Sequence, residues 1–356
     1  MTFSAKLLAA ALSYTASVAS VNSYHLAESY DYTNFFEKFN FWESKFDTGN
    51  YNDVDPTSGF VNYRNELDAA ALGLIATQGT EMFLGVNHRD IFNASDKGRD
   101  SVRLESKNSY NHGLFIADFT HFPKPTCGVW PAFWAYGDVW PNVGEIDIYE
   151  EWNTAESNAI TLHTGNSTLN GTCTINQADM LDNVTTFNCD VYYSDENQGE
   201  NQGCSTVEDL GQWGAAAGGI YAMEWTSKAV KIWSWSHVEA PMDIFAGEPN
   251  PDTWGLPHFS AGGSSCKLDD HLANQRLVLN IDFCGVTAGN PDIWGPQCAA
   301  ATGYETCIDY VAHNPDVFAD AFWRIKDIKV YERPDLPSNS TNTTAIYNRR
   351  AGYARL

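Results

Sequence analysis

Positive charge is scarce in this chain. Its 356 residues carry 21 lysines and arginines against 45 aspartates and glutamates, a formal net charge of −24. A field of that sign repels phosphate backbones and anionic headgroups, which argues against nucleic acid and an anionic membrane surface as partners. Long apolar runs are missing as well. Nothing approaches the ~18 uninterrupted apolar residues of a membrane span, and the C-terminal end lacks the hydrophobic tail of a glycolipid anchor, so no membrane anchor is expected. There is no fixed-period repeat and little helical amphipathic pattern, which leaves strands as the main element. C-x-x-C pairs and His/Cys clusters at zinc spacing are also absent, so neither a metal nor any cofactor is expected.

What is present describes a folded, exported protein. Hydrophobic residues make up 43% and aromatics 13%, enough apolar surface for a sizeable core. Lys6, the apolar run Leu7 to Leu12 and the small residues around Ala19 and Ser20 form a signal-peptide pattern, which sets residues 1–20 apart from the fold. The eight cysteines suit an oxidising compartment, with Cys298–Cys307 and one pair among Cys173, Cys189 and Cys204 as expected bridges. Six N-x-S/T sequons begin at Asn93, Asn166, Asn170, Asn183, Asn339 and Asn342, and N-glycans are expected at the first four. A secreted, extracellular monomer with an acidic surface is the expectation.

Short runs rich in β-branched and aromatic residues recur between turn-like clusters: GLFIADF (113–119), AITLHT (159–164), GIYAMEWT (219–226), AVKIWSWS (229–236), LVLNIDF (277–283) and FWRIKDIKVYE (322–332). Many alternate as half-buried strands do, predicting an all-β sandwich or jelly roll. Residues 164–186 and 193–206 are polar and read as long loops. One domain over 21–333 is predicted, followed by a Pro/Ser/Thr-rich disordered tail at 334–356.

The segment 144–153, GEIDIYEEWN, gathers four carboxylates: Glu145, Asp147, Glu150 and Glu151. Alternate side chains of a strand share a face, so Ile146 and Ile148 point one way and Glu145 and Asp147 the other. A solvated face is one explanation, but crowded like charges repel and solvated faces ordinarily mix signs. Ligation of a hard cation needs six to eight oxygens, more than one strand supplies. Acid–base chemistry is the third, since repulsion raises one pKa and keeps that group protonated. Retaining hydrolysis of a glycosidic bond needs a nucleophile and an acid about 5 Å apart. Glu145 and Glu151 share parity, yet their Cα atoms would stand roughly 20 Å apart in an unbroken strand. Glu150 faces the wrong way unless the strand absorbs an extra residue. A β-bulge does this, turning Glu150 onto the carboxylate face at an effective separation of about four residues, roughly 13 Å.

With that bulge, GEIDIYEEWN resembles the E-x-D-x-x-E signature of glycoside hydrolase family 16, in particular the fungal laminarinase-type endo-1,3(4)-β-glucanases. SVRLESKNSYNHGLFIADFTHFPKPTCGVWPAFWAYGDVWPNVGEIDI (101–148), GGIYAMEWTSKAVKIWSW, NQRLVLNIDFCG and AFWRIKDIKVYE resemble family segments in order, over roughly residues 25–333. The resemblance implies a concanavalin-like β-jelly-roll sandwich with its cleft on the concave sheet. It implies a retaining endo-β-glucanase acting on β-1,3 or mixed β-1,3/1,4 glucan, with Glu145 as nucleophile, Glu150 as acid/base and Asp147 bonding to the nucleophile. Trp134 and Trp140 match cleft positions, His163 a position near the nucleophile and Arg103 a position that binds sugar hydroxyls. An ordinary surface ion pair is the plainer role for Arg103, and Trp130 is assigned mainly to packing. One departure stands out: relatives often read GDWAG after the late FC, whereas here GVTAG puts Thr287 in place of the tryptophan, with Trp294 seven residues on as a possible replacement. Two other functions share this fold: cell-wall transglycosylases, which usually carry an unbulged E-x-D-x-E, and non-catalytic glucan-binding lectins, which usually lose one of the two glutamates.

Overall fold

The computed structural model describes residues 23–44, 55–209 and 211–335. The leader at 1–20, nearly all of the tail at 334–356 and the sequons at Asn339 and Asn342 lie outside the described residues.

Each of the six hydrophobic runs forms a strand: Gly113–His121, Asn158–His163, Gly219–Trp225, Ala229–Trp235, Arg276–Phe283 and Trp323–Glu332. Branched and aromatic side chains fit a pleated surface, and here they pack two antiparallel sheets of nine and eight strands face to face. The inward residues meet in one core. Phe133, Ile146, Ile148, Ile160 and Leu162 come from the eight-stranded sheet, and Phe115, Phe119, Tyr221, Met223 and Trp225 from the other.

The alternation was a partial guide. Gly219–Trp225 and Arg276–Phe283 are buried at every residue, not on one face alone. In the nine-stranded sheet the cause is a covering segment: Ala240, Ile244 and Trp254 pack on the outward Leu114, Ile116, Ile220, Ala222 and Trp233. The supposed loop 164–186 also holds structure. Its strands Cys173–Ile175 and Asn183–Thr186 edge the nine- and eight-stranded sheets respectively. Strands of three and four residues are too short to leave a period in the sequence.

The disulfides are Cys127–Cys298, Cys173–Cys266, Cys189–Cys204 and Cys284–Cys307. The expected pair within 173, 189 and 204 forms as Cys189–Cys204, but Cys298–Cys307 does not form. Cys127 precedes the strand Val129–Tyr136 and Cys284 follows its neighbour Arg276–Phe283, which pair side by side. The helical stretch 285–313 crosses the ends of both strands, so its two cysteines are each captured by a strand and not by one another.

Candidate active site

The carboxylate strand Glu145–Glu150 lies between Val129–Tyr136 and Asn158–His163 in the eight-stranded sheet. It enters from a turn in which Gly144 N–H donates to Pro141 C=O at 3.0 Å. Gly144 has φ +73, and a Cβ there would meet Leu272 Cδ2 at 2.3 Å, so only glycine fits the turn.

Against Val129–Tyr136 the register runs Glu145↔Tyr136, Asp147↔Trp134, then shifts, giving Tyr149↔Phe133 and Glu150↔Ala132. The same shift occurs against Asn158–His163, between Asp147 and Glu150. This is the predicted bulge. Ile148 and Tyr149, consecutive residues, both enter the core, while Glu145, Asp147 and Glu150 align with Tyr136, Trp134 and Ala132, which share one parity. The effective separation of Glu145 and Glu150 is the four residues from Tyr136 to Ala132. Glu151 lies beyond the strand, and its Oε2 accepts from Trp152 N–H at 3.2 Å.

The environment is poor in compensating charge. Burial pushes the carboxyls of Glu145, Asp147 and Glu150 up to about 8, and the Asp147 charge adds to the rise of the two glutamates. Three acids this close do not all ionise, so the cluster retains protons at neutral pH. His163 Nε2 stands 3.2 Å from Asp147 Oδ2. His163 and Arg103 both pull Glu145 back down, whereas Glu150 is relieved by the Trp130 hydrogen bond and by His163. Glu145 therefore has the stronger cationic support for ionisation.

Trp130 is more than packing. Its Nε1–H donates to Glu150 Oε1 at 2.9 Å, which fixes one oxygen of that carboxyl. Its strand parity with Trp134 and Tyr136 was the available signal. Trp134 opposes Asp147, stacks on Tyr136 with ring centroids 5.1 Å apart and donates to Asn280 Oδ1 at 2.8 Å. Arg103 is not a surface ion pair: it is buried, its Nη2 lies 2.9 Å from Glu105 Oε1, and its guanidinium sits 5.0 Å from the Trp134 ring centre. Trp130, Tyr136, Asn280 and Glu105 are thus site neighbours missed from sequence. Trp140 is half-buried in the hairpin that closes beyond the Tyr136–Glu145 pair. Trp294 does not replace the missing cleft tryptophan, because it is 1% exposed and donates its N–H to Tyr304 C=O. Glu145, Asp147 and His163 present three donor atoms within 4.8 Å of one another, fewer than a hard cation requires.

A model of the XgeA-like catalytic domains of glycoside hydrolase family 16 matches residues 49–331. The chain belongs to family 16. The sandwich is the family 16 jelly roll. The endo-1,3(4)-β-glucanase of Arthroderma benhamiae is 37% identical over 89% of this chain, and a probable endo-1,3(4)-β-glucanase of Aspergillus clavatus is 36% identical over 90%. The chain spans 66% and 48% of the length of those relatives. Among solved structures, family 16 laminarinase 16A from Phanerochaete chrysosporium, with two β-glucans in its donor and acceptor sites, superposes with TM-score 0.76 at 33% identity. That match covers 87% of this chain and all of the other. An elongating family 16 β-1,3-glucosyltransferase superposes with TM-score 0.77 at 34% identity over the same shares.

Proposed function

We propose that this chain is a secreted retaining endo-β-glucanase that cleaves β-1,3 or mixed β-1,3/1,4 glucan by double displacement. The bulge carries the proposal, because it places Glu145, Asp147 and Glu150 on one face of one strand at an effective four-residue spacing. In the first step the Glu145 carboxylate attacks the anomeric carbon while Glu150 gives its proton to the departing sugar oxygen. In the second, Glu150 takes a proton from water, which displaces Glu145 and restores both groups. Burial and the Asp147 charge raise both glutamates alike and His163 lowers both; the added pull of Arg103 on Glu145 favours Glu145 for the ionised role and leaves Glu150 for the acid role. Asp147, with His163 Nε2 3.2 Å from its Oδ2, lies between the two glutamates on the same face, in position to hydrogen-bond the nucleophile. Trp134, Trp140 and Arg103 supply the aromatic and polar surface that a neutral glycan uses. N-glycans at Asn93, Asn166, Asn170 and Asn183, with a monomeric, exported chain, belong to the same reading.

Reducing-sugar release from laminarin and lichenan by Glu145→Gln and Glu150→Gln tests it; full activity in either variant sinks the assignment. The likeness to an elongating glucosyltransferase supports a second outcome, capture of the glycosyl-enzyme by another sugar in place of water. Mass spectrometry of laminarin oligosaccharide products separates the two, since transfer yields chains longer than the substrate.

A further inference from the structure

One buried polar cluster is left unused by the chemistry above. Asn158 opens the strand beside the carboxylate strand, fully buried and on the core parity of Ile160 and Leu162. Its amide oxygen accepts from Glu150 N–H at 2.8 Å, and its amide nitrogen donates to Ile148 C=O at 3.0 Å and to Glu208 Oε2 at 2.9 Å. The bulge creates these two backbone needs, since register is lost between Asp147 and Glu150 and the strand ladder no longer serves them.

An asparagine amide offers one acceptor and a two-proton donor, the complement of one N–H, one carbonyl and one carboxylate. Aspartate lacks the donors, serine is too short, and glutamine is a methylene too long. Glu208 fixes which way the amide faces. It is buried, and it accepts from the Tyr221 hydroxyl at 2.9 Å and from the Ser234 hydroxyl, both on the opposite sheet. With these two hydroxyls donating to it and His258 Nε2 3.8 Å from its Oε1, Glu208 presents an acceptor to the amide nitrogen of Asn158.

We propose that Asn158, oriented by Glu208, is a positioning residue for Glu150, holding the bulge in the register that keeps the Glu150 carboxyl in the cleft against Trp130. The inference rests on Glu150 being the acid/base, and its signature differs from that of a residue that merely supports the fold. Asn158→Ser and the isosteric Asn158→Asp are assayed on laminarin, whose leaving sugar needs a proton, and on a 2,4-dinitrophenyl β-laminaribioside with azide. The dinitrophenolate leaves without a proton. Azide then attacks the anomeric carbon and releases Glu145 as carboxylate, giving glycosyl azide with no general base.

The expected result is a kcat on laminarin lowered about 100-fold, a KM within about threefold, and azide-assisted aryl glycoside turnover within about threefold of the parent. Asn158→Asp keeps its acceptor and, while protonated, one donor, so its laminarin activity is lost at lower pH than that of the parent. That shift carries the test where Asn158→Ser does not fold. Equal losses on both substrates, laminarin kcat within threefold of the parent, or an unmoved pH limb would overturn the proposal. Glu150→Gln is the control: if azide does not restore its aryl glycoside turnover, the acid/base assignment fails and this inference falls with it.

Discussion

Two groups of carboxylates, one on the outward face of each sheet, are compensated in opposite ways. On the nine-stranded sheet Asp118 meets His237 Nε2 at 2.7 Å and Lys326 Nζ at 2.9 Å. Glu224 there accepts from the Tyr24 hydroxyl at 2.8 Å, with Arg333 Nη1 at 3.8 Å and Lys231 Nζ at 4.0 Å. On the eight-stranded sheet Glu105 is paired with Arg103 at 2.9 Å, but Glu145, Asp147 and Glu150 crowd one another, with His163 3.2 Å from Asp147 and Arg103 acting on Glu145 while already paired. Paired carboxylates leave the fold neutral at that point. Crowded ones cost stability and hold protons where a reaction can draw on them. Acidic residues alone do not mark a site in a chain of net charge −24; buried acids that outnumber the cations beside them do.

The largest expected contrast is catalytic. Glu145→Gln and Glu150→Gln should each lower kcat on laminarin roughly 10³-fold, within the range of a lost acid/base or nucleophile. Asp118→Asn, a buried carboxylate on the other face, should leave it within about twofold. A comparable loss in all three would erase the distinction between the faces.

A smaller effect separates the members of the crowded set. Trp130→Phe keeps the ring and removes the N–H that Glu150 Oε1 accepts. A donor favours the ionised carboxylate, so its loss raises the Glu150 pKa further and moves the alkaline limb of kcat/KM to higher pH. Turnover should fall about tenfold through looser placement of the carboxyl. A limb that moves to lower pH, or not at all, refutes the role given to Trp130. Smaller again is the effect of Thr287→Trp. A Cβ on the nearby Gly285 would sit 3.1 Å from Trp130 Cζ3, which places the Gly285–Ala288 turn of helix at that end of the cleft. A restored stacking surface should lower KM for laminarin about fivefold with kcat unchanged; an unchanged KM would remove Thr287 from the cleft.

These contrasts also show what could be read in advance. The bulge was legible because parity is a local property: one late glutamate after Glu145 and Asp147 is enough to announce an inserted residue. The alternating strand runs were legible for the same reason, whereas Gly219–Trp225 and Arg276–Phe283, buried at every residue, were legible from their branched and aromatic composition. The Trp130–Glu150 bond was not, since it depends on how an indole turns between strands paired out of step. Trp294 looked available because nothing in its neighbourhood announces that Tyr304 C=O will hold it in the core. Cys298 and Cys307 looked paired by proximity along the chain, but strand ends distant in sequence claim both. Asn158 gave no signal at all, because its partners exist only once the bulge has formed.

The finest test of the comparison is thermal. With Asp147 and its neighbours raised to about 8, the folded state keeps protons that the unfolded chain releases near pH 4. Unfolding therefore becomes easier as pH climbs: the contribution is fully present below the unfolded value and is lost as pH passes through the folded one. Asp147→Asn is isosteric with the protonated acid and carries no charge to bury, so it should flatten the fall in Tm between pH 5 and pH 8 and raise the pH 8 midpoint by about 2–4 °C. Asp118→Asn strands Lys326 and His237 beside a neutral amide and should lower the midpoint by a similar amount. Opposite signs from two aspartate-to-asparagine changes, read by calorimetry at one pH, are what crowding and pairing require; like signs would mean that the two faces bury their charges on the same terms.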